Sequence, residues 1–289
     1  MEIFRTVAEL RQWSREFRCE MSGLDGKRIG LVPTMGALHA GHASLIRAAA
    51  AECGQVTVSI FVNPTQFGPQ EDFAHYPRSF EADCALAEAE GASAIFAPAV
   101  NELYPGGAFS PIATFVDVEG LGARLDGASR PGHFRGVATV VAKLLIAAEP
   151  DKAYFGQKDA AQAAVVRRMA GDLRLGVEIV VCPIVREVDG LALSSRNVYL
   201  SHTERVQALA LSRAVGKVEA LVASGERGAE ALIAVAHEVF NSEPAVQVDY
   251  VAVVDWETLE PRDSADPGSL FAVAAYVGST RLIDNAILR

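Results

Sequence analysis

Apolar residues upstream of Val185 recur in two alternating patterns, short continuous runs and helical spacings. The runs are typical of buried strands, and the helical spacings are typical of amphipathic helices. They predict strands over residues 29–32, 56–62, 94–96 and 153–155, alternating with helices over residues 41–51, 80–90, 137–148 and 159–169. Strands that alternate with helices in this way indicate an α/β protein with a doubly wound parallel sheet.

The N-terminal segment predicts one further helix ahead of this alternation. Thr6 and Glu9 fit a capping box, and apolar residues follow them at helical spacing. Asp25 and Gly26 indicate a turn before the first predicted strand. We expect the role of this helix to be packing.

The order of elements changes downstream of Val185. Ser201 and Glu204 predict a capping box at the start of a long helix. The remaining predicted elements are a helix over residues 229–240, strands over 246–254 and 270–277, a short strand near Arg281 and a loop over 261–268. Helices followed by adjacent strands predict a smaller α+β domain with an antiparallel sheet. We therefore expect two domains, residues 1–184 and residues 185–289.

Composition narrows the classes of partner. Half of the 289 residues are hydrophobic, which suffices for a sizeable buried core. The formal charge of −10 repels phosphate polymers and anionic lipid, so we expect neither nucleic acid nor a membrane as partner. No apolar run has membrane-spanning length and the charged N-terminus has no signal-peptide core, which favours a cytoplasmic location. The four cysteines form no CxxC pair, and we expect them to be reduced and mostly buried.

The strongest chemical signal is the segment PTMGALHAGHASLI, which follows the first predicted strand. His39 and His42 lie at the entrance of the next helix, where both rings can face the same side. The free N–H groups of a helix N-terminus bind anions, and Gly36 and Gly41 allow a nucleotide to approach the backbone. The segment therefore predicts a triphosphate site, although two surface histidines beside an ordinary turn would give the same spacing.

Polar residues follow other predicted strands. Asn63, Gln66 and Tyr76 lie in and after NPTQFG, and Arg130 and His133 lie in RPGHFRG, a predicted loop that leads into a helix. Such side chains can line a cleft at the carboxyl ends of parallel strands. A solvated Gln or a residue that only caps a helix is the alternative at each position.

Two more segments have residue types that suit phosphate. Lys158 and Gln162 lie in FGQKDAAQ after a predicted strand, and SSRN contains two hydroxyls and Arg196. A lysine ammonium and an arginine guanidinium both bind phosphate oxygens. A solvated lysine and a serine that caps a helix are the alternatives.

These segments occur in the order that is found in the pantothenate synthetase family of the HxGH nucleotidyltransferase superfamily, which the chain resembles over nearly its whole length. The resemblance implies a Rossmann-like fold and an ATP site. The implied ATP-binding residues are Pro33, Thr34, Met35, Gly36, Ala37, Leu38, His39, Ala40, Gly41, His42, Gly156, Gln157, Lys158, Asp159, Val185, Leu193, Ser194, Ser195 and Arg196. Those with implied catalytic roles are His39, His42, Lys158, Ser194, Ser195 and Arg196.

The resemblance also implies the sites of the other ligands. The residues implied for pantoate and β-alanine are Gln66, Gln162, Met35, Asn63, Tyr76, Arg130 and His133. Asp83 resembles a magnesium-associated position, but Ala82 stands where relatives can have a second acid. Ala160 and Ala161 also depart from the family, which often has an aromatic residue and a Gln there.

The function that this resemblance implies is an ATP-dependent ligation. Pantoate would be activated as pantoyl adenylate and then joined to β-alanine, with Mg²⁺, in a homodimer whose smaller domain closes over the site. The sequence does not indicate a catalytic triad. The reaction does not require one, because in-line attack on the α-phosphorus needs only alignment and charge stabilisation from the protein. A nucleotidyltransferase with another acceptor and a non-catalytic ATP-binding module are the alternatives. AMP release that depends on β-alanine would distinguish the ligase from a nucleotidyltransferase with another acceptor. Pyrophosphate formation from pantoate and ATP would distinguish it from a non-catalytic ATP-binding module.

Overall fold

The structure is a computed structural model that describes residues 1–20, 28–68, 73, 76–110 and 113–289. The turn predicted at Asp25 and Gly26 lies outside these residues. Contacts between Cα atoms divide the chain into two compact units. The first unit comprises Met1–Ala123, Arg130–Gly156 and Val165–Cys182, and the second comprises Arg124–Ser129, Gln157–Ala164 and Pro183–Arg289.

The described residues form strands and helices in both units, and the two kinds of element alternate through most of the first unit. The strands are β1 (Glu2–Phe4), β2 (Ile29–Thr34), β3 (Gln55–Ile60), β4 (Ala94–Phe96), β5 (Lys152–Gly156), β6 (Glu178–Cys182), β7 (Val246–Asp255), β8 (Ser269–Val277) and β9 (Thr280–Ile287). The helices are α1 (Val7–Glu20), α2 (Ala40–Glu52), α3 (Phe80–Ala89), α4 (Val100–Leu103), α5 (Asp126–Ser129), α6 (His133–Ala148), α7 (Ala160–Asp172), α8 (His202–Ala223) and α9 (Ala229–Asn241). Short 3₁₀ turns cover Pro64–Gln66, Leu121–Ala123, Gln157–Asp159 and Ser195–Tyr199.

The sheet of the first unit confirms the predicted α/β class. Its strands are parallel and lie in the order β1-β4-β3-β2-β5-β6. The chain builds outward from β2 through β3 and β4 on one side, and through β5 and β6 on the other. The crevice beside such a reversal is where doubly wound sheets bind ligands, at the carboxyl ends of the strands. The loops that follow β2 and β5 therefore start beside this switch point.

The core of the first unit explains why its strands read as continuous apolar runs. Leu31, Val32 and Val58 are completely buried, as expected for parallel strands that are covered on both faces. Ile46 on α2 is also completely buried and packs in the same cluster as Val58. Burial of each such side chain contributes roughly 1.5–3 kcal/mol relative to its exposure.

The second unit confirms the predicted α+β arrangement. Its sheet has the order β7-β8-β9 with antiparallel pairing. Ser201 and Glu204 form the predicted capping box at the start of α8, with each side chain accepting the other's backbone N–H. Phe240 of α9 and Phe271 of β8 lie in the hydrophobic core of this unit. The helices therefore cover one face of the antiparallel sheet.

Several element boundaries differ from the predictions. The sequence analysis missed β1 and β6; β1 spans only three residues and gives no periodicity, and β6 is a partly exposed edge strand. Helix α6 begins at His133 rather than four residues later, because Gly132 takes a positive φ of 83° and starts the helix there. The capping box at Thr6 and Glu9 is confirmed.

The cysteines are free thiols in different surroundings. Cys53 and Cys182 are buried, Cys84 is partly buried, and Cys19 is exposed, so the expectation of mostly buried thiols holds for part of the set. Burial raises the pKa of the Cys53 and Cys182 thiols, which keeps them protonated near neutral pH. Among the described residues, no helix is both long and apolar enough to cross a membrane.

Candidate active site

The turn between β2 and α2 contains the positions predicted to bind ATP. Thr34, at the end of β2, donates its hydroxyl to the Ser59 carbonyl at 2.6 Å and accepts the Gly36 N–H at 3.2 Å. Gly36 and Ala37 both have positive φ, 85° and 50°. Glycine adopts this conformation freely, whereas alanine does so at a cost of about 1–2 kcal/mol. The backbone therefore turns sharply before α2.

The carboxylate of Asp83 holds this turn in place. Asp83 is only 2% exposed, and its Oδ2 and Oδ1 accept the N–H groups of Ala37 and Leu38 at 2.9 and 2.8 Å. The Ser79 hydroxyl donates to the same Oδ1 at 3.0 Å. A Cβ atom at Gly36 would lie 3.0 Å from Asp83 Oδ2, so glycine lets the carboxylate approach. Charge-assisted bonds to two consecutive amides fix the direction of the turn.

His39 and His42 form a capping box for α2, with imidazoles in place of the usual hydroxyl and carboxyl groups. His39 is the N-cap, and its Nδ1 accepts the Gly41 N–H at 3.1 Å. His42 is the N3 residue, and its Nδ1 accepts the His39 N–H at 3.3 Å. The spacing of three residues thus has a structural cause, because N-cap and N3 are the positions that exchange these bonds.

This capping arrangement determines what the two rings can donate. Because both Nδ1 atoms act as acceptors, the hydrogen-bond network assigns the proton of each neutral ring to Nε2. The ring centroids are 4.2 Å apart. The rings therefore present neighbouring Nε2–H donors at the positive end of the α2 dipole, where a phosphate group is stabilised. No acidic residue lies in the first turn of α2 to oppose an anion.

Asn63 orients the predicted pantoate residue Gln66. Asn63 is 1% exposed, and its Nδ2 donates to Gln66 Oε1 at 3.0 Å and to the Gly136 carbonyl at 3.1 Å. Its Oδ1 accepts hydroxyl bonds from Tyr104 at 2.8 Å and Thr65 at 3.1 Å. With its own Oε1 committed to Asn63, Gln66 presents its Nε2 as a donor. That Nε2 lies 2.9 Å from Met35 Sδ.

His133 and Gly136 hold the turn at Pro64–Gln66 against α6. His133 Nδ1 donates to the Gln66 carbonyl at 2.8 Å, and its Nε2 accepts from Arg130 at 3.0 Å. The proton of this ring is therefore on Nδ1, whereas His39 and His42 have theirs on Nε2. A Cβ atom at Gly136 would lie 2.3 Å from the Thr65 carbonyl oxygen. Arg130, His133, Asn63, Gln66 and Met35 are thus brought together in the first unit.

Tyr76 is a buried member of the same segment. It is 8% exposed and packs edge-on against Phe67, with 5.9 Å between the ring centroids. Phe67 directly follows Gln66 in the chain. The aromatic contact therefore braces the segment that presents Gln66.

In the second unit, the turn Gln157–Asp159 contains the predicted phosphate lysine. Lys158 Nζ lies 3.4 Å from Asp159 Oδ1, and both side chains are partly exposed. Asn285 of β9 donates its Nδ2 to the carbonyls of Gln157 and Lys158 at 2.9 and 3.0 Å. Gly156 ends β5 directly before this turn, and Gln162 lies partly exposed on α7 after it.

The segment from Val185 to Arg196 forms a hairpin followed by a 3₁₀ turn. Leu193 donates its N–H to the Val185 carbonyl at 2.9 Å, and Arg186 pairs with Ala192 in an antiparallel bridge. Ser194 is the N-cap of the turn Ser195–Tyr199, and its hydroxyl accepts the Arg196 N–H at 3.3 Å. The capping role weighed as an alternative for the serine pair is therefore present at Ser194.

The contacts of Asp83 do not fit its predicted role as a direct magnesium ligand. Both of its oxygens accept N–H bonds and the side chain is nearly inaccessible to solvent, whereas Mg²⁺ requires open carboxylate oxygens and retains several waters. Within the described residues, no group of three or more His, Cys, Asp or Glu side chains could hold a metal ion. These contacts assign Asp83 to the support of the β2–α2 turn.

Sequence reasoning missed the residues that position the predicted ones. Tyr104 orients Asn63, Gly136 admits the Gln66 turn, and Asn285 holds the Lys158 turn. Gly136 lies in RPGHFRG, which was predicted as a loop, so its position inside a helix gave no signal in the sequence. The other two act across 41 and 127 positions of sequence, which no local pattern indicates.

A doubly wound sheet with an imidazole-capped helix after the strand at its switch point defines an α/β protein built to bind a nucleotide or similar anion. Comparison with known families narrows this class. The family model for pantoate-beta-alanine ligase matches residues 2–287, and the chain belongs to that family.

Individual relatives are similar over their full lengths. Pantothenate synthetase of Acidobacterium capsulatum is 60% identical over 294 residues, covering 100% of this chain and 97% of the relative. The crystal structure of pantothenate synthetase from Thermus thermophilus matches with a TM-score of 0.90 at 45% identity, covering 100% and 99% of the two chains. Pantoate-beta-alanine ligase from Francisella tularensis, complexed with beta-gamma ATP and beta-alanine, matches with a TM-score of 0.77 at 30% identity, covering 99% and 97%.

Proposed function

We propose that the protein is an ATP-dependent ligase that condenses pantoate with β-alanine to give pantothenate, AMP and pyrophosphate. The observation that carries the proposal is the imidazole capping box of α2, which presents two Nε2–H donors at a helix N-terminus within a chain of the pantoate-beta-alanine ligase family. The Francisella tularensis relative was crystallised in a complex with beta-gamma ATP and beta-alanine, and the proposed reaction uses ATP and β-alanine.

The proposed ATP contacts come from three segments. His39 and His42 donate Nε2–H bonds to phosphate oxygens, assisted by the dipole of α2. Lys158 contributes an ammonium, and the segment with Ser194, Ser195 and Arg196 contributes hydroxyls and a guanidinium. These groups stabilise the negative charge that shifts onto the departing pyrophosphate in the transition state.

The proposed pantoate contacts are amide groups. Gln66 offers its Nε2–H donors, because Asn63 already occupies its Oε1, and Gln162 provides a second amide. In the first step a pantoate carboxylate oxygen bonds to the α-phosphorus, and the bond between that phosphorus and pyrophosphate breaks. In the second step the β-alanine nitrogen bonds to the acyl carbon, the bond from that carbon to AMP breaks, and the nitrogen loses a proton.

Several broader features belong to the same proposal. Mg²⁺ enters as an ion that accompanies the ATP phosphates, and no residue is assigned to it. The chain acts in the cytoplasm as a homodimer, with residues 1–184 binding ATP and pantoate and residues 185–289 forming a lid domain. Sedimentation of the purified chain tests the dimer, and titration of Mg²⁺ against a fixed ATP concentration tests the metal requirement.

The adenylate intermediate is tested with isotope-labelled substrate. Pantoate with ¹⁸O in its carboxylate is expected to transfer one label to AMP, because a carboxylate oxygen remains on phosphorus when the amide forms. Pyrophosphate–ATP exchange is expected with pantoate in the absence of β-alanine, and AMP release is expected only when β-alanine is added. ATP consumption indifferent to β-alanine would indicate another acceptor, and absence of pyrophosphate formation would indicate a non-catalytic module.

A further inference from the structure

Asn285 is a buried amide on the last strand of the chain, and all of its described side-chain bonds go to the turn that contains Lys158. It is 3% exposed. Its Nδ2 donates to the carbonyls of Gln157 and Lys158 at 2.9 and 3.0 Å, and its Oδ1 accepts the Gln157 side-chain amide at 3.2 Å. The amide therefore contacts both the backbone and a side chain of this turn.

An asparagine is particularly suited to this position. Its Nδ2 has two N–H groups in a fixed fork, so one side chain can satisfy two successive carbonyls. An aspartate has nearly the same shape but would place an acceptor oxygen against both carbonyls. Because the side chain is buried, loss of its donors would leave two carbonyls without these partners.

The neighbouring residue makes a second connection from the same strand. Asp284 is 1% exposed and accepts two bonds from Arg186 at 2.6 and 2.9 Å. Arg186 follows Val185 and pairs with Ala192 in the hairpin that leads to the Ser194–Arg196 segment. Adjacent residues of a strand point to opposite faces, so β9 holds the two segments from its two sides.

We propose that Asn285 is a positioning residue for Lys158, and that β9 is the common support for both phosphate-binding segments of the second unit. The proposal rests on the function proposed above, in which Lys158 binds ATP. Asn285 itself touches no substrate and acts through the Gln157–Lys158 backbone. Displacement of a charged group by about 1 Å can cost a hundredfold in rate, so the geometry of this turn matters to catalysis.

The experiment compares Asn285→Ala, Asn285→Asp and Asn241→Ala, the last an exposed residue at the end of α9. We expect Asn285→Ala to lower kcat/KM for ATP by roughly tenfold to a hundredfold. We expect Asn285→Asp, which keeps the shape but not the donors, to lose at least as much, and Asn241→Ala to be unchanged. Wild-type rates in both Asn285 variants would overturn the proposal.

A double-mutant cycle with Lys158→Ala separates positioning from a general loss of structure. If Asn285 acts through Lys158, Asn285→Ala has almost no further effect in the Lys158→Ala background. Equal losses in both backgrounds would overturn the proposal. Hydrogen exchange supplies a readout besides activity: peptides covering residues 157–164 should exchange faster in Asn285→Asp, while peptides from β2 and β3 should not. Uniformly faster exchange would also overturn it.

Failure of the proposed function gives a different result. If the unmodified protein forms no pyrophosphate from pantoate and ATP, the ligase proposal fails whatever the variants do. If the unmodified protein is active and the Asn285 variants match it, only the positioning role fails.

Discussion

The chemistry of His39 and His42 depends on which ring nitrogen bears the proton. The spacing in the sequence placed both rings on the first turn of a helix, and the structure confirms this. The tautomer could not be predicted, because it depends on which backbone N–H groups reach the Nδ1 atoms. The bonds from Gly41 and His39 settle this assignment in favour of Nε2–H donors.

This assignment predicts the behaviour of His42→Asn. An asparagine oxygen can replace Nδ1 as acceptor for the His39 N–H, but the variant has no group at the position of Nε2. We expect the thermal unfolding midpoint to change little and adenylate formation to slow by roughly a hundredfold or more, as when one transition-state donor is lost. Pyrophosphate release in a single turnover measures the effect, with His202→Ala on α8 as control. A normal rate in His42→Asn would exclude a donor role for Nε2.

Asp83→Asn tests whether this carboxylate serves the turn or a metal. The variant has only one oxygen for the Ala37 and Leu38 N–H groups, so one of these partly buried groups loses its partner, at a cost of about 1–3 kcal/mol. We expect lower stability and a lower kcat, with an unchanged Mg²⁺ concentration for half-maximal activity. Denaturant titration and a Mg²⁺ titration measure these. A large increase in the Mg²⁺ requirement would instead restore the metal role, and exposed Glu81→Gln on α3 is the control.

At the scale of secondary structure elements, the sequence predicted those strands and helices that have a clear apolar periodicity or a capping motif. Strands β2, β3, β4 and β5 and the capping box of α8 were found because apolar runs and capping residues are local signals. The strands β1 and β6 were missed because a strand of three residues and a partly exposed edge strand have no such signal. The packing of α6 on the Gln66 turn was missed for another reason. It depends on Gly136, which has no side chain and so gives no apolar pattern.

Gly136→Ala tests this contact between elements. Alanine is normally the better helix former by about 1 kcal/mol. Here its Cβ would lie 2.3 Å from the Thr65 carbonyl oxygen, so the Pro64–Gln66 turn must move away from α6. We expect a net loss of stability and a higher KM for pantoate, with a much smaller change in KM for ATP. Gly171→Ala on α7, where an added Cβ meets nothing within 4 Å, is the matched control. An equal or greater stability for Gly136→Ala would contradict this account.

The cap of α8 predicts a pH dependence of stability. The Ser201 hydroxyl, and then its N–H, hold the pKa of the Glu204 carboxyl below its ordinary value. Because the pKa is lower in the folded state, ionised Glu204 stabilises the fold above its unfolded-state pKa, near 4.3, and this contribution is lost as the pH falls through the folded-state pKa. Glu204→Gln keeps an acceptor for the cap but cannot ionise. We expect the difference in unfolding free energy between the two proteins to be constant near neutral pH and to change below about pH 4.3. Urea titrations at several pH values measure it, and a difference that stays constant as the pH falls through this range would contradict the account.

At the scale of the whole molecule, an acidic protein of net charge −10 is proposed to bind a polyanion. Because the net charge is negative, the groups that bind the polyanion must be concentrated at one place. The structure shows some of them in the first unit, where His39 and His42 lie at the N-terminus of α2. The residues that hold these segments in place could not be predicted from the sequence. Asp83 contacts the β2–α2 turn and Asn285 contacts the Lys158 turn, and both turns lie far from these residues along the chain.

Ligand linkage tests whether His42 and Lys158 both contribute to ATP binding. A ligand that binds only the folded state at a hundred times its Kd adds about 2.7 kcal/mol to the free energy of unfolding. We expect ATP to raise the thermal unfolding midpoint of the unmodified protein by an amount that grows with its concentration. If His42 and Lys158 both contact ATP, then His42→Asn and Lys158→Ala should each weaken this shift at a fixed ATP concentration. A normal shift in Lys158→Ala would exclude a contact between Lys158 and ATP, and the positioning role of Asn285 would then have no ligand to serve.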